Sequence, residues 1–341
     1  MGAGGAPSRE VLALHDAAPT FDLHADTPLL MGLWRYRMAK RHPSTRLGRP
    51  WHFGHVDLPR MAEGGLWAQF FGLVTFPLWK RGLARDCHRR IDLLEREVAA
   101  NPAAIRTCRS ASDVRAAKAA GARAALLGIE GAHALEGKLE NLEVFARRGV
   151  RYLGLLHFSR NEAGFPAKGY GRDDAQGLTP FGLELVEACQ RLGVIVDLTH
   201  VNRKGFFDAV GRARAPMIIS HTGVTGVQPH WRNADDEMLR AVAKTGGVAG
   251  VIFATKFLGE DSLDAVVRHL RHIRDVAGED TPALGSDFDG CVVPPRDLPD
   301  VSALPRLTEA LLRGGFTEAQ VLKLLGGNAM RVLETVPPPA T

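Results

Sequence analysis

The 341-residue chain is poor in cysteine, lysine and aromatic residues and contains no long apolar run. Its four cysteines, Cys87, Cys108, Cys189 and Cys291, stand far apart and form no C-x-x-C, which excludes a zinc knuckle or a dense disulfide frame and fits a reducing compartment. Only 9 of the 43 basic residues are Lys, and they build no sustained basic block. The net charge of +5 therefore reads as a scattered Arg-rich surface, with no nucleic acid or anionic lipid as partner. No stretch reaches the roughly 18 to 20 uncharged apolar residues of a spanning helix. Gly, Pro and charge break up the first 20 residues, and the chain closes on the Pro-rich VPPPAT, so neither a signal peptide nor a lipid anchor is expected. The expectation is a cytoplasmic protein with no membrane partner.

What is present is an ordinary globular composition, 45% apolar and 24% charged, which excludes disorder, collagen and coiled coil. Short apolar runs recur at 21–26, 66–74, 122–131, 151–157, 194–200, 216–221, 247–253 and 282–289, each closing on polar residues. Between them lie stretches such as 86–100, 181–192, 235–245 and 261–277, whose apolar residues repeat at three and four. Continuous apolar strands alternating with amphipathic helices imply a parallel sheet covered on both faces, and eight such units predict a closed (β/α)8 barrel spanning 1–341 as one α/β domain. A doubly wound eight-stranded sheet is the alternative. Residues 1–20 read as an N-terminal extension. The 38 residues 27–64 read as a wall or lid over the site, because loops beyond about 12 to 15 residues are usually functional or disordered. Residues 302–334 read as two helices, the second opened by the capping-box pair Thr317 and Gln320.

His24 and Asp26 lie two apart at the end of the first run, an H-x-D that can chelate one metal but is weak evidence alone. Glu130 ends the third run, His157 the fourth, His200 the fifth, His221 the sixth, and Asp287 lies in the eighth. In a (β/α)8 barrel all these ends meet at one mouth, where active sites of this fold sit. His133, His269 and His272 fit structural or surface roles. Three imidazoles, His24, His200 and His221, with the carboxylates of Asp26 and Glu130 exceed what one tetrahedral catalytic zinc uses, so two metals are implied. No Lys ends the third, fourth or fifth run to serve as a carboxylated bridge, which makes Glu130 the natural bridging ligand.

The segments HAD (24–26), GIEGAHAL (128–135), LLHFSRN (155–161), GLTPFGLELV (177–186), VDLTH (196–200), ISHTG (219–223), WRNADDEML (231–239), GSDFDG (285–290) and GGNAMRVL (326–333) together resemble the membrane dipeptidase (renal dipeptidase) family, peptidase family M19 of the amidohydrolase superfamily. The resemblance runs from about Phe21 to Leu333. It implies a zinc-dependent hydrolase of unblocked dipeptides with two Zn2+ and a metal-bridging hydroxide as nucleophile. It further implies His24 and Asp26 on one zinc, His200 and His221 on the other, and Glu130 between them. His157 would meet the oxygen of the scissile carbonyl, Arg232 would bind the substrate carboxylate, and Asp287, in preference to Asp289, would handle the proton. A homodimer is implied by family analogy. The chain departs from the family at Ala254, where many members carry a Tyr that also holds the substrate carboxylate, with Lys256 the nearest other candidate. A related hydrolysis of another small amide, a β-lactam, a lactone or an N-acyl amino acid remains an alternative on the same site. A non-catalytic barrel is disfavoured, because no ligand is missing and Asp287 is kept.

Overall fold

The computed structural model describes residues 7–42, 53–76 and 82–338. Each of the eight apolar runs forms a strand: β1 (Phe21–Ala25), β2 (Ala68–Val74), β4 (Arg123–Glu130), β5 (Val150–Gly154), β6 (Ile195–Asp197), β7 (Ile218–Thr222), β8 (Val248–Val251) and β9 (Pro282–Leu284). All pair in parallel, and β2 pairs with both β1 and β4 while β9 pairs with β1, so these eight close into a ring. The fold is a (β/α)8 barrel, and the doubly wound alternative falls. A further strand, β3 (Ile105–Thr107), pairs with β4 outside the ring. It escaped the sequence reading because only Ile105 of its three residues is buried, leaving no periodic signal.

Large residues at the strand starts fill the barrel: Phe21, Phe70, Leu126, Tyr152, Ile195, Ile218 and Val248 share one buried cluster. Ala329, Met330, Val332 and Leu333 of the last helix, Asn328–Thr335, join that cluster and close the end opposite the mouth. Outer helices pack amphipathically, as in Leu83–Ala100, which buries Cys87, Ile91 and Leu94 at four- and three-residue spacing. Among the described residues, no helix is long and apolar enough to cross a membrane. All four cysteines are free thiols.

The C-terminal segment forms the helix Leu304–Arg313 and a continuous helical run over 318–335, opened by Thr317 and carrying a π turn at Lys323–Gly327. The Thr317–Gln320 capping box is present as expected. The π turn brings Gly326 against the chain entering β1, where a Cβ would lie 1.9 Å from the carbonyl oxygen of Pro19. One expectation needs correction, at the ends of three runs. Strands β5, β6 and β9 stop at Gly154, Asp197 and Leu284, so His157, His200 and Asp287 stand on the following loops. Local side-chain bonds end two of these ladders, Asp197 accepting from the Thr199 amide and the Ser286 hydroxyl accepting from the Phe288 amide.

The long segment 27–64 contains helices Thr27–Trp34 and Leu58–Glu63, while its residues 43–52 lie outside the described residues, as do 1–6 of the N-terminal extension and 339–341 of the tail. The described part is tied down by Arg60, which is buried and pairs with Asp57 at 2.7 Å and Asp300 at 3.1 Å. Arg60→Ala would leave two buried carboxylates short of their cation, and is expected to cost about 3 to 5 kcal/mol, read as a lowered denaturant midpoint. A shift under about 1 kcal/mol would show that water replaces the guanidinium there.

Candidate active site

The metal-type residues reach the mouth through irregularities in the strands. From Asp22 to Ala25 β1 advances three residues while β2 advances two, Gln69 to Phe71. The extra residue turns His24 and Asp26 inward, toward Gly72, where strict alternation from Phe21 would send His24 outward. The same happens in β7, where Ile219 to Thr222 matches Ala249 to Val251, and His221 turns inward. His200 and Asp287 take left-handed backbone angles, φ 68° and 59°. Such angles are uncommon outside glycine and concentrate at functional sites.

The structure brings every expected site residue together. The Glu130 carboxylate stands at the centre, with Oε1 3.0 Å from His200 Nε2, 3.5 Å from His221 Nε2 and 3.7 Å from His157 Nε2, and Oε2 3.8 Å from His24 Nε2. His24 Nε2 is also 3.4 Å from Asp26 Oδ1 and 3.8 Å from Asp287 Oδ1. Three overlapping groups have ligand-type atoms within 4.8 Å of one another: His24, Asp26 and Glu130; Glu130, His157 and His200; His24, His221 and Asp287. All are buried.

The donor set fits divalent metal. His24 Nε2, Asp26 Oδ1 and Glu130 Oε2 are buried polar atoms with no hydrogen-bond partner, an expensive state unless a cation occupies the space between them. Three buried carboxylates, those of Asp26, Glu130 and Asp287, share this space, with the Arg232 guanidinium near Asp287 and Glu130. Without a cation, protons must compensate: burial opposes charge on His24, but the carboxylates of Glu130, Asp26 and Asp287 prevail and push it up to about 10. Burial likewise drives Glu130 well above the usual carboxylate range and Asp287 up to about 8. Burial, reinforced by nearby cationic groups, holds His200 and His221 well below the ordinary imidazole value, so both stay neutral with a lone pair to offer. His157 is pushed down to about 3, by burial above all.

The sequence reading missed the residues that aim these ligands. His24 Nδ1 lies 2.6 Å from the Tyr152 hydroxyl. The Ser220 hydroxyl donates to Asp197 at 2.7 Å, so it accepts from His221 Nδ1 at 2.9 Å, which leaves the His221 Nε2 lone pair facing Glu130. Thr199 also donates to Asp197. Asp197 and Ser220 stood inside the VDLTH and ISHTG motifs, which was the available signal. Two glycines make room: a Cβ on Gly72 would lie 2.4 Å from Asp26 Oδ1, and one on Gly128 2.0 Å from the Tyr152 ring. His133 and His269 are structural as expected, bonded to Ser159 and to backbone at Val224 and Leu258, and His272 pairs with Asp236.

Asp289 is spent on architecture. Its carboxylate accepts from the amides of Gly54 and His55 and from the Thr27 hydroxyl, at 2.9, 2.7 and 2.7 Å, and so ties the long segment to the mouth. Asp287 makes no such anchoring bonds and faces the cluster. Arg232 is buried, donates to the His221 carbonyl at 2.8 Å and lies 6.0 Å from the Phe257 ring centre. Ala254 is buried with Ile252 and Val292 and brings no polar group.

A sequence model of the membrane dipeptidase family (peptidase family M19) matches residues 8–339. Among solved structures, a dipeptidase described as a metallopeptidase is 32% identical, with a TM-score of 0.81 over 94% of this chain and 98% of its own. A metallopeptidase from Rhodobacter sphaeroides, solved with a phosphinate mimic of the dipeptide L-Ala-D-Ala, is 30% identical, with a TM-score of 0.80 over 94% and 99%. An amidohydrolase from Pseudomonas aeruginosa is 26% identical, with a TM-score of 0.80 over 96% and 98%. The chain belongs to the membrane dipeptidase family, peptidase family M19.

Proposed function

We propose that this metallo-dipeptidase family member is a binuclear zinc enzyme that hydrolyses unblocked dipeptides. The observation that carries the reading is the convergence of His24, Asp26, His200 and His221 on Glu130, with three atoms of the five candidate ligands buried and unpartnered. His24 and Asp26 would hold one ion, His200 and His221 the other, and Glu130 would bridge them. When bound, the ions would acidify a water and polarise the scissile carbonyl. The protein's own groups do the rest. Arg232 holds the substrate's terminal carboxylate with a planar fork of donors. His157, kept neutral by burial, donates to the carbonyl oxygen as negative charge develops on it. Asp287 takes the proton from the attacking water and returns it to the leaving amine.

A fixed cation measures the distance from the cluster to the end of the substrate, so one residue beyond the scissile bond fits and two do not. C-terminally amidated dipeptides are therefore expected to be poorer by about 1.5 to 3 kcal/mol in kcat/KM, the net value of a hydrogen bond to a charged group. Arg232→Ala should slow the free acid to the level of the amide. Equal rates for acid and amide in the unsubstituted enzyme would remove the clamp. The deciding experiment for the function is hydrolysis of a mixed L,L and L,D dipeptide library by zinc-loaded protein, with N-acyl amino acids, β-lactams and lactones alongside. Turnover of the controls alone would favour the other small-amide reading, which the apolar setting of Ala254 keeps in the comparison.

A further inference from the structure

The mouth carries aromatic surface that the proposed chemistry leaves unused. Phe158 and Trp231 are 46% and 40% exposed, and their ring centres lie 6.5 Å apart in an edge-on arrangement. They come from different loops, those after β5 and β7, and Phe158 borders the cluster. The Phe158 ring centre is 4.5 Å from that of His157 and 4.9 Å from that of His200. Trp231 precedes Arg232 in the chain and continues into His230 at 5.2 Å and Phe257 at 6.4 Å. A cavity of about 220 Å³ opens beside Trp231, lined by His200, Trp231 and Arg232 and by the apolar Ala167, Phe206 and Met238. Large apolar groups left in water at a site mark a surface that some ligand covers.

We propose that Phe158 and Trp231 select a large apolar side chain on the C-terminal residue of the dipeptide. The inference rests on the dipeptidase reading, because position decides which side chain meets the rings. With the terminal carboxylate on Arg232 and the scissile carbonyl between His157 and His200, the residue that spans those points is the C-terminal one. Its side chain leaves the backbone between Phe158, next to the imidazoles, and Trp231, which lines the same cavity as Arg232. An aromatic or branched side chain there gains ring contact and shields the neighbouring polar groups from water. The surrounding charge adds a second criterion. Lys168 Nζ lies 5.9 Å from the Trp231 ring centre and Lys256 Nζ 6.0 Å from that of Phe257, so a cationic side chain at the same position meets like charge.

The test is kcat/KM for Ala-Phe, Ala-Leu, Ala-Gly and Ala-Lys with the zinc-loaded enzyme. Ala-Phe and Ala-Leu are expected to exceed Ala-Gly by about 10-fold or more, the value of burying such a side chain, with Ala-Lys the poorest. In Trp231→Ala the ratio of Ala-Phe to Ala-Gly should collapse toward one, in Phe158→Ala it should fall in the same direction, and Trp231→Phe should restore most of it. The unsubstituted enzyme alone decides the matter if a variant fails to fold. Turnover of all four dipeptides at similar rates, or a preference for Ala-Lys, overturns the selection and leaves the dipeptidase reading standing. No turnover of any dipeptide overturns both.

Discussion

Glu130→Gln is expected to empty the site of metal and reduce kcat/KM by about 10⁴-fold or more, since ions that polarise a carbonyl and supply a nucleophile each contribute several kcal/mol and 1.36 kcal/mol is tenfold. Among the described residues, its carboxylate is the one group within 4 Å of all four imidazoles, His24, His157, His200 and His221. An amide keeps its shape but loses the charge, offers one oxygen in place of two, and turns a donor toward nitrogen lone pairs. On the proposed binuclear reading, both ions then lack their shared ligand. Loss of a terminal ligand, as in His221→Ala, should instead weaken one ion and leave the other. Elemental analysis of the purified proteins checks this directly, with close to two equivalents expected in the unsubstituted enzyme and activity lost on chelation. An active enzyme with at most one equivalent would sink the binuclear reading, and a Gln variant that retains two ions would deny Glu130 the bridge.

The barrel was legible in the sequence because parallel strands buried on both faces leave continuous apolar runs, and all eight became strands. The candidate cluster was legible because polar residues interrupt those runs at their C-terminal ends. What was not legible is how the residues are aimed. Strict alternation would send His24 out of the barrel, and only the extra residue in β1, visible in the pairing with β2, brings it in. Register against a neighbouring strand is a tertiary property that one strand's pattern does not contain. Tyr152 shows the same limit from another side: in sequence it is an aromatic residue in an apolar run, and 128 positions separate it from the His24 ring that it orients. Asp287 and Asp289 look interchangeable within GSDFDG, yet the fold spends Asp289 on three hydrogen bonds that fasten the long segment and leaves Asp287 to face the cluster.

That division of labour is itself testable. Asp287→Asn is expected to keep the fold and both metal ions while lowering kcat by about 10² to 10⁴, the usual worth of a positioned acid/base. The amide is nearly isosteric and neutral, so it neither unpacks the loop after β9 nor adds charge beside His24, 3.8 Å away. It cannot accept a proton from the attacking water, and so it has none to return to the departing amine. KM should change little, because the proposed clamp for the terminal carboxylate is Arg232, which the substitution leaves intact. Asp289→Asn should behave in the opposite way. Two backbone amides and the Thr27 hydroxyl lose a charged acceptor, so stability should fall by about 1 to 3 kcal/mol, while kcat stays close to that of the unsubstituted enzyme. Thermal melts, metal content and steady-state kinetics on the two variants separate the roles. If Asp287→Asn loses metal along with activity, Asp287 is a ligand, as its proximity to His24 and His221 allows. If it turns over at nearly the normal rate, the proton moves through another group.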